Sequence, residues 1–400
     1  MSRLDFLKNK VSVTLVCFLA YFIMSGLLTQ MGVVSLGLQT AFRVSSAAAI
    51  SIFTWLLTGV LVGTITSNFI YQYFSLKQVF LICYIPLSLM ITGYTWVTDL
   101  FILQWLLFFS GTFIGLGLAT ATVTLTRLYD GNLRASMLVC TSLSFSLAGV
   151  LIPTSTAMLI EKGFAWFSGY LIVAGVVVLC IILVAIHRFP ELEVLEKKTL
   201  VSDNEKLCIK VWLLAFTMFF FLFGQSSFFL WAPSFVVEKY QSTIERGGDA
   251  IGLFWMSAVP GQLLAIFLLA RNHIALDKFL LIVTPLAAVS TWLLVSSDSL
   301  TVFMFSSGIY GFVLLPAHKS IIAYVSLLNR SPKAITVLLS AGTAGSMFAP
   351  VASSWIYNRL GIQTTMLTTS VSATCVAVTI GLTFLLVKHR SCRGRLPRLP

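Results

Sequence analysis

Between Phe189 and Ile209 the chain reads Phe-Pro-Glu-Leu-Glu-Val-Leu-Glu-Lys-Lys-Thr-Leu-Val-Ser-Asp-Asn-Glu-Lys-Leu-Cys-Ile. No other internal stretch is both this long and this polar. Five acids, Glu191, Glu193, Glu196, Asp203 and Glu205, are mixed with Lys197, Lys198 and Lys206. Toward the N-terminus, apolar runs cover 11–38, 46–70, 79–96, 101–127, 136–159 and 168–188. Toward the C-terminus they cover 210–237, 248–269, 278–295, 301–328, 336–358 and 364–387. Most approach or exceed the roughly 20 residues that a helix needs to cross a bilayer. Lipid offers no partner to an unpaired backbone group, so these runs read as helices. Long uninterrupted runs argue against a membrane barrel, whose strands alternate. The polar stretch then separates six spans from six.

Composition agrees. Hydrophobic residues make up 58% of the 400 and charged residues 10%, where a soluble domain carries about 25% charged residues. A chain this poor in charge cannot clothe a water-facing surface, so soluble domains are excluded. The net charge of +12 is read as membrane topology and not as a nucleic-acid surface. With the N-terminus inside, 20 lysines and arginines fall on the cytoplasmic side, 5 fall outside, and Lys319 lies within a span. This asymmetry predicts a multi-pass protein of the cytoplasmic membrane with both termini cytoplasmic and an even number of spans.

The seven cysteines form no Cys-x-x-Cys pair, and no metal or cofactor motif appears. The first apolar run is too long for a signal-peptide core and reads as a retained span. Neither His-Glu-x2-His nor Gly-x-Ser-x-Gly is present, so the sequence does not read as an enzyme. No cofactor is expected.

The two sets of spans share a register. Gln30 and Gln225 are 195 residues apart, Trp55 and Trp255 200, Ser110-Gly111 and Ser307-Gly308 197. Gly149 and Gly345 are 196 apart, Pro153 and Pro350 197. A steady offset predicts an all-α polytopic protein of twelve transmembrane helices in two pseudo-symmetric six-helix halves. The expected division is 1–188, a cytoplasmic linker 189–209, 210–388, and a basic tail 389–400.

This layout resembles the major facilitator superfamily. Ser144-Phe-Ser-Leu-Ala-Gly149 with Pro153, Gly224-Gln225 with Trp231 and Pro233, Phe254-Trp-Met-Ser257 and Gly342-Thr-Ala-Gly-Ser346 resemble the TsgA-like permeases near the fucose-permease branch. The superfamily's Gly-x3-Asp-Arg-x-Gly-Arg signature is absent, and that loop reads Tyr71-Gln-Tyr-Phe-Ser-Leu-Lys-Gln78. The resemblance implies a central cavity lined by spans 1, 4, 7 and 10, with spans 2, 5, 8 and 11 forming contacts between the halves. Small residues suit such contacts, so Gly59 and Gly63 in span 2, Gly149 and Pro153 in span 5, and Gly342 and Gly345 in span 11 are candidate packing or gating positions.

Candidate solute-binding residues follow from polarity at depth. His318 and Lys319 lie about 15 Å along span 10 from its cytoplasmic end. A charge held there against lipid would cost at least ~2.5 kcal/mol, so Lys319 should meet water, a partner or a bound anion. Capping of backbone carbonyls is the structural alternative. Gln30 and Gln225 offer donor and acceptor together, or else a helix-to-helix bond. Tyr310 offers a stacking face or core packing. Trp231 is a gate or an interfacial anchor. All fourteen acids fall in loops, tails or span ends, and Ser142 stands in a stretch where the resemblance implies an acid.

The expected function is a secondary transporter moving a small polar organic solute, anionic through Lys319, by alternating access. A neutral sugar-like solute is the alternative substrate. A non-transporting sensor on the same scaffold is the alternative class. The expected partners are the small-molecule solute and the lipid bilayer, with no nucleic acid and a monomeric chain.

Overall fold

The computed structural model describes residues 3–71, 73–129, 131–190, 209–270, 273–328 and 332–389. The linker between Glu191 and Cys208 and the tail beyond His389 lie outside the described residues. Among the described residues every regular element is helical. Helices α1 (Arg3–Thr29) and α2 (Met31–Phe42) form span 1, interrupted at Gln30. Helices α3 (Ser46–Ser51) and α4 (Phe53–Ile70) form span 2. Then come α5 (Leu76–Gly93), α6 (Leu100–Leu128), α7 (Gly131–Glu161) and α8 (Ser168–Ile186). The second half holds α9 (Ile209–Tyr240), α10 (Ile244–Ala270), α11 (Leu276–Ser296), α12 (Leu300–Leu328) and α13 (Pro332–His389).

Eleven of these helical stretches are long and apolar enough to cross a membrane. The last contains two crossings. Gly361, at φ 76°, breaks α13 into arms 332–360 and 362–389, a left-handed conformation natural only to glycine. Gly345 packs on Phe219, while Thr379 bonds Thr217 on the same stretch of α9. The arms therefore run antiparallel, and the total is twelve.

Local signals set the helix starts. Ser75 and Gln78 form a reciprocal capping box before α5, and Asp99 accepts from the Phe101 amide before α6. Lys77 donates to the carbonyls of Ala185 and His187 at the end of α8, where unpaired carbonyls collect.

Glycines decide the packing within each half. A Cβ at Gly59 or Gly63 would overlap the carbonyls of Phe108 and Thr112 on α6. A Cβ at Gly111 or Gly115 would overlap those of Leu56 and Val60 on α4. The second half repeats this between Gly261 of α10 and Phe312, and between Gly311 of α12 and Phe254. Gly59 and Gly63 therefore close α4 onto α6 in their own half, which corrects the expectation that they meet the other half. Gly342 and Gly345 likewise face α9 of their own half, against Met218, Leu222 and Phe219. Backbone approach of this kind replaces the hydrophobic driving force that lipid removes.

Gly149 does lie between the halves, against the Trp255 indole of α10. The Pro153 carbonyl is close behind, against Gly248. Gly32 of α2 sits on the Phe229 and Leu230 carbonyls of α9. Glu161, at the end of α7, accepts from the Glu245 amide in the first turn of α10. Among the described residues these contacts lie at mid-height or at the end of the bundle away from the chain termini.

Candidate functional site

A cavity of about 310 Å³ lies between the halves, lined by both. Helical periodicity positions its walls. Tyr21, Met24 and Leu28 form one stripe of α1; Leu222, Gln225, Ser226 and Phe229 form one stripe of α9; Leu315, His318 and Lys319 form one stripe of α12. These spacings of three and four place side chains on a single helix face. Ser142 and Phe145 enter from α7, and Trp255 and Gln262 from α10.

The polar groups fall into two kinds. Some are committed to protein partners. Tyr21 and Thr122 share a hydrogen bond of 2.8 Å, and Ser226 Oγ donates to Ser346 Oγ at 3.0 Å. The others have no hydrogen-bond partner among the described residues: the amides of Gln225 and Gln262, the Ser142 hydroxyl, the His318 ring nitrogens and the Lys319 ammonium. The His318 ring leans on Phe221, with centroids 5.3 Å apart. Lys319 is exposed to the cavity while protein surrounds it. Among the described residues no Asp or Glu lines the cavity, so there the lysine faces neutral walls. Buried polar groups are normally paired, and a cluster left open in a concavity is the arrangement that a polar solute completes.

The aromatic residues close one end. Trp255 is 2% exposed, stacks on Phe229 at 5.4 Å and touches Phe145 at 5.1 Å. Its indole N–H is buried without a partner. Phe145 belongs to the first half, and Phe229 and Trp255 to the second, so this cluster spans the division.

The structure brings Gln225, His318 and Lys319 together and places the remaining candidates elsewhere. Gln30 is fully buried within the first half. Its Oε1 accepts from Thr156 at 2.7 Å, and its Nε2 donates to the Gly26 carbonyl at 2.8 Å. Gln30 holds α1 against α7 where the helix breaks, so it does not face Gln225 across the cavity. Tyr310 is 1% exposed and packs against Phe228 and Phe254. Trp231 is neither a gate on the cavity nor an interfacial anchor. It is completely buried, stacks on Tyr357 at 4.6 Å and donates to Ser353 at 2.7 Å, tying α9 to α13.

Gln262 is a cavity group that the sequence reading passed over. An amide inside an otherwise apolar span was its available signal. Trp255 enters the sequence as a repeat marker and within the family-like stretch Phe254–Ser257, and its place at the division carries no sequence signature.

The Major Facilitator Superfamily profile matches residues 13–294. The TsgA homolog of Buchnera aphidicola (subsp. Acyrthosiphon pisum, strain Tuc7) is 25% identical over 371 residues, covering 91% of this chain and 93% of that protein. The TsgA homolog of Yersinia pseudotuberculosis (serotype O:1b, strain IP 31758) is 25% identical over 388 residues, covering 96% and 98%. Among solved structures, a D-xylose-proton symporter superposes with TM-score 0.73 at 14% identity, covering 92% of this chain and 97% of that one. The nucleoside transporter NupG gives 0.70 at 15% identity, covering 94% and 99%. A bacterial homolog of the human lysosomal transporter Spinster, inward-facing and unoccupied, gives 0.71 at 14% identity, covering 98% and 100%. At these identities the likeness establishes the fold.

Proposed function

This chain belongs to the Major Facilitator Superfamily, and we propose that it is a secondary transporter that binds a small organic anion in the central cavity and carries it by alternating access. It is a multi-pass membrane protein built as its transporter relatives are. The observation that carries the anionic reading is Lys319: a cation open to the cavity, with no carboxylate among the described lining residues. Substrate supplies the missing counter-charge. Gln225 and Gln262 then read hydroxyl, carbonyl or amide groups of the solute. His318 adjoins the lysine and is a further solute contact.

In this reading the chain works as a monomer in the cytoplasmic membrane, both termini and the 189–209 linker are cytoplasmic, and 1–188 and 210–388 are the two moving units. The 20-to-5 distribution of basic residues supports that orientation. Closure at the end away from the termini then makes this an inward-facing arrangement.

A neutral solute is the second reading. The free amides favour it, as does the likeness in fold to a D-xylose-proton symporter and to the nucleoside transporter NupG. Untargeted metabolite uptake into right-side-out vesicles identifies the solute. Lys319→Gln then separates the readings, because it keeps polarity and removes charge. The anionic reading requires lost binding of the solute in a folded protein. Unchanged rate and affinity would make the lysine structural. Binding in detergent without flux in vesicles would support a sensor instead.

A further inference from the structure

We propose that this carrier is an exchanger: with Lys319 charged and no anion bound, the cavity does not pass from access on one side to access on the other. The proposal rests on the anionic reading of the same site and adds how the cycle is driven.

Alternating access requires a moment at which both ends are shut. At the end already closed, the seal is dry. Gly32 sits on the carbonyls of Phe229 and Leu230, Gly149 holds the Trp255 indole, and Phe145 and Phe229 pack around that ring. Closing the opposite end would enclose Lys319 among walls whose described residues include two free amides, a hydroxyl and an imidazole and carry no fixed negative charge. An ammonium enclosed without a counter-charge is strongly disfavoured.

The side chain has no other exit. Lys319 is nine residues from Leu328, where α12 ends, on the order of 14 Å of helix. Three carboxylates near the division are engaged elsewhere. Glu161 caps α10, Glu238 accepts from the Tyr357 hydroxyl at 3.1 Å, and Asp249 pairs with Arg246 at 3.5 Å. Glu238 is also about 20 Å along α9 from Gln225. Among the described residues no embedded acid is positioned to neutralise the lysine as it moves. A bound organic anion does so in both directions, so the loaded leg runs each way and the empty leg is blocked. Exchange of one anion for another follows. Proton symport through a cavity carboxylate has no residue here to carry it.

The test needs no knowledge of the solute. Lys162 is exposed beyond α7 and Ser242 lies just beyond α9, on opposite halves at the closed end. Lys162→Cys and Ser242→Cys, in a background with the native cysteines replaced, carry a donor–acceptor dye pair for single-molecule distance traces in lipid nanodiscs without added solute. The otherwise unaltered protein should hold its distance without switching. Lys319→Gln should switch between short and long distances faster by about tenfold or more, the scale set by a charge at membrane depth. Lys319→Arg, which keeps the charge, should behave as the parent. Lys319→Met replaces Lys319→Gln if the latter does not fold.

Equal switching rates in parent and Lys319→Gln would overturn exchange while leaving alternating access intact. An unchanging short distance in every variant would overturn both. Switching in Lys319→Arg as fast as in Lys319→Gln would overturn the role of charge.

Discussion

The Trp255 indole occupies the space that a side chain on Gly149 would need: a single methyl group built at Gly149 overlaps the indole ring. One residue belongs to α7 and the other to α10, so the contact joins the halves. Gly149→Ala should therefore obstruct closure at this end with little effect on either half. We expect transport to fall about tenfold or more while yield and melting temperature in detergent stay near the parent's. Trp255→Phe in the same chain should recover part of the rate. A Gly149→Ala protein with undiminished flux would show that the contact is not made during the cycle.

Gln30 and Gln225 provide a paired test. Gln30→Leu removes two hydrogen bonds inside the first half and should cost about 1–2 kcal/mol of stability, read as a lower melting temperature with unchanged solute affinity. Gln225→Leu removes a cavity amide with no protein partner. It should leave the melting temperature in place and weaken solute binding. Reversed outcomes would mean that the two amides have exchanged the roles assigned here.

Gly59→Ala should force α4 away from α6, because the added carbon overlaps the Phe108 carbonyl. Overpacking of this kind costs about 1–3 kcal/mol. Thermal unfolding in detergent should register it, with the solute Kd of the remaining folded protein unchanged. A shift in Kd without a loss of stability would place Gly59 at the moving interface after all.

Trp231→Phe should keep the stack on Tyr357 and lose the bond to Ser353. The expected loss is on the order of 1 kcal/mol, read by the same melting assay. Altered transport at saturating solute would contradict its assignment to α9–α13 packing.

Topology is testable with single cysteines and an impermeant maleimide. Labelling from outside the cell should reach a cysteine placed at Ser242 and miss Cys392, since the basic residues put the tail inside. External labelling of Cys392 would invert the assigned orientation.

Depth was legible in the sequence; azimuth was not. Apolar run length fixes where a helix lies across the bilayer, so twelve crossings and the halfway polar stretch could be read directly. Lys319 could be singled out because any charge at that depth demands an explanation. A constant offset between repeats says that Gln30 and Gln225 are at similar heights. It does not say which way each points, and the Gln30 amide is held inside the first half by Thr156 and the Gly26 carbonyl. Trp55 and Trp255 diverge in the same way: one is 37% exposed on the bundle's flank, the other 2% exposed at its centre. Small-residue motifs carry the same ambiguity. Gly59-x3-Gly63 announces a close helix neighbour without naming it, and that neighbour proved to be α6.

The turn at Gly361 has a mechanical consequence. One residue joins arms 332–360 and 362–389, whereas the two halves are tethered by a stretch of about twenty residues. A joint of one residue has no slack. Any shift of the first arm is transmitted to the second, which is fastened to α9 through Thr379 and Thr217 and to α11 through Ser370 and the Thr291 carbonyl. The second half is thus coupled stiffly within itself. Even a short insertion at Gly361 would therefore uncouple the last helix from the body that carries it.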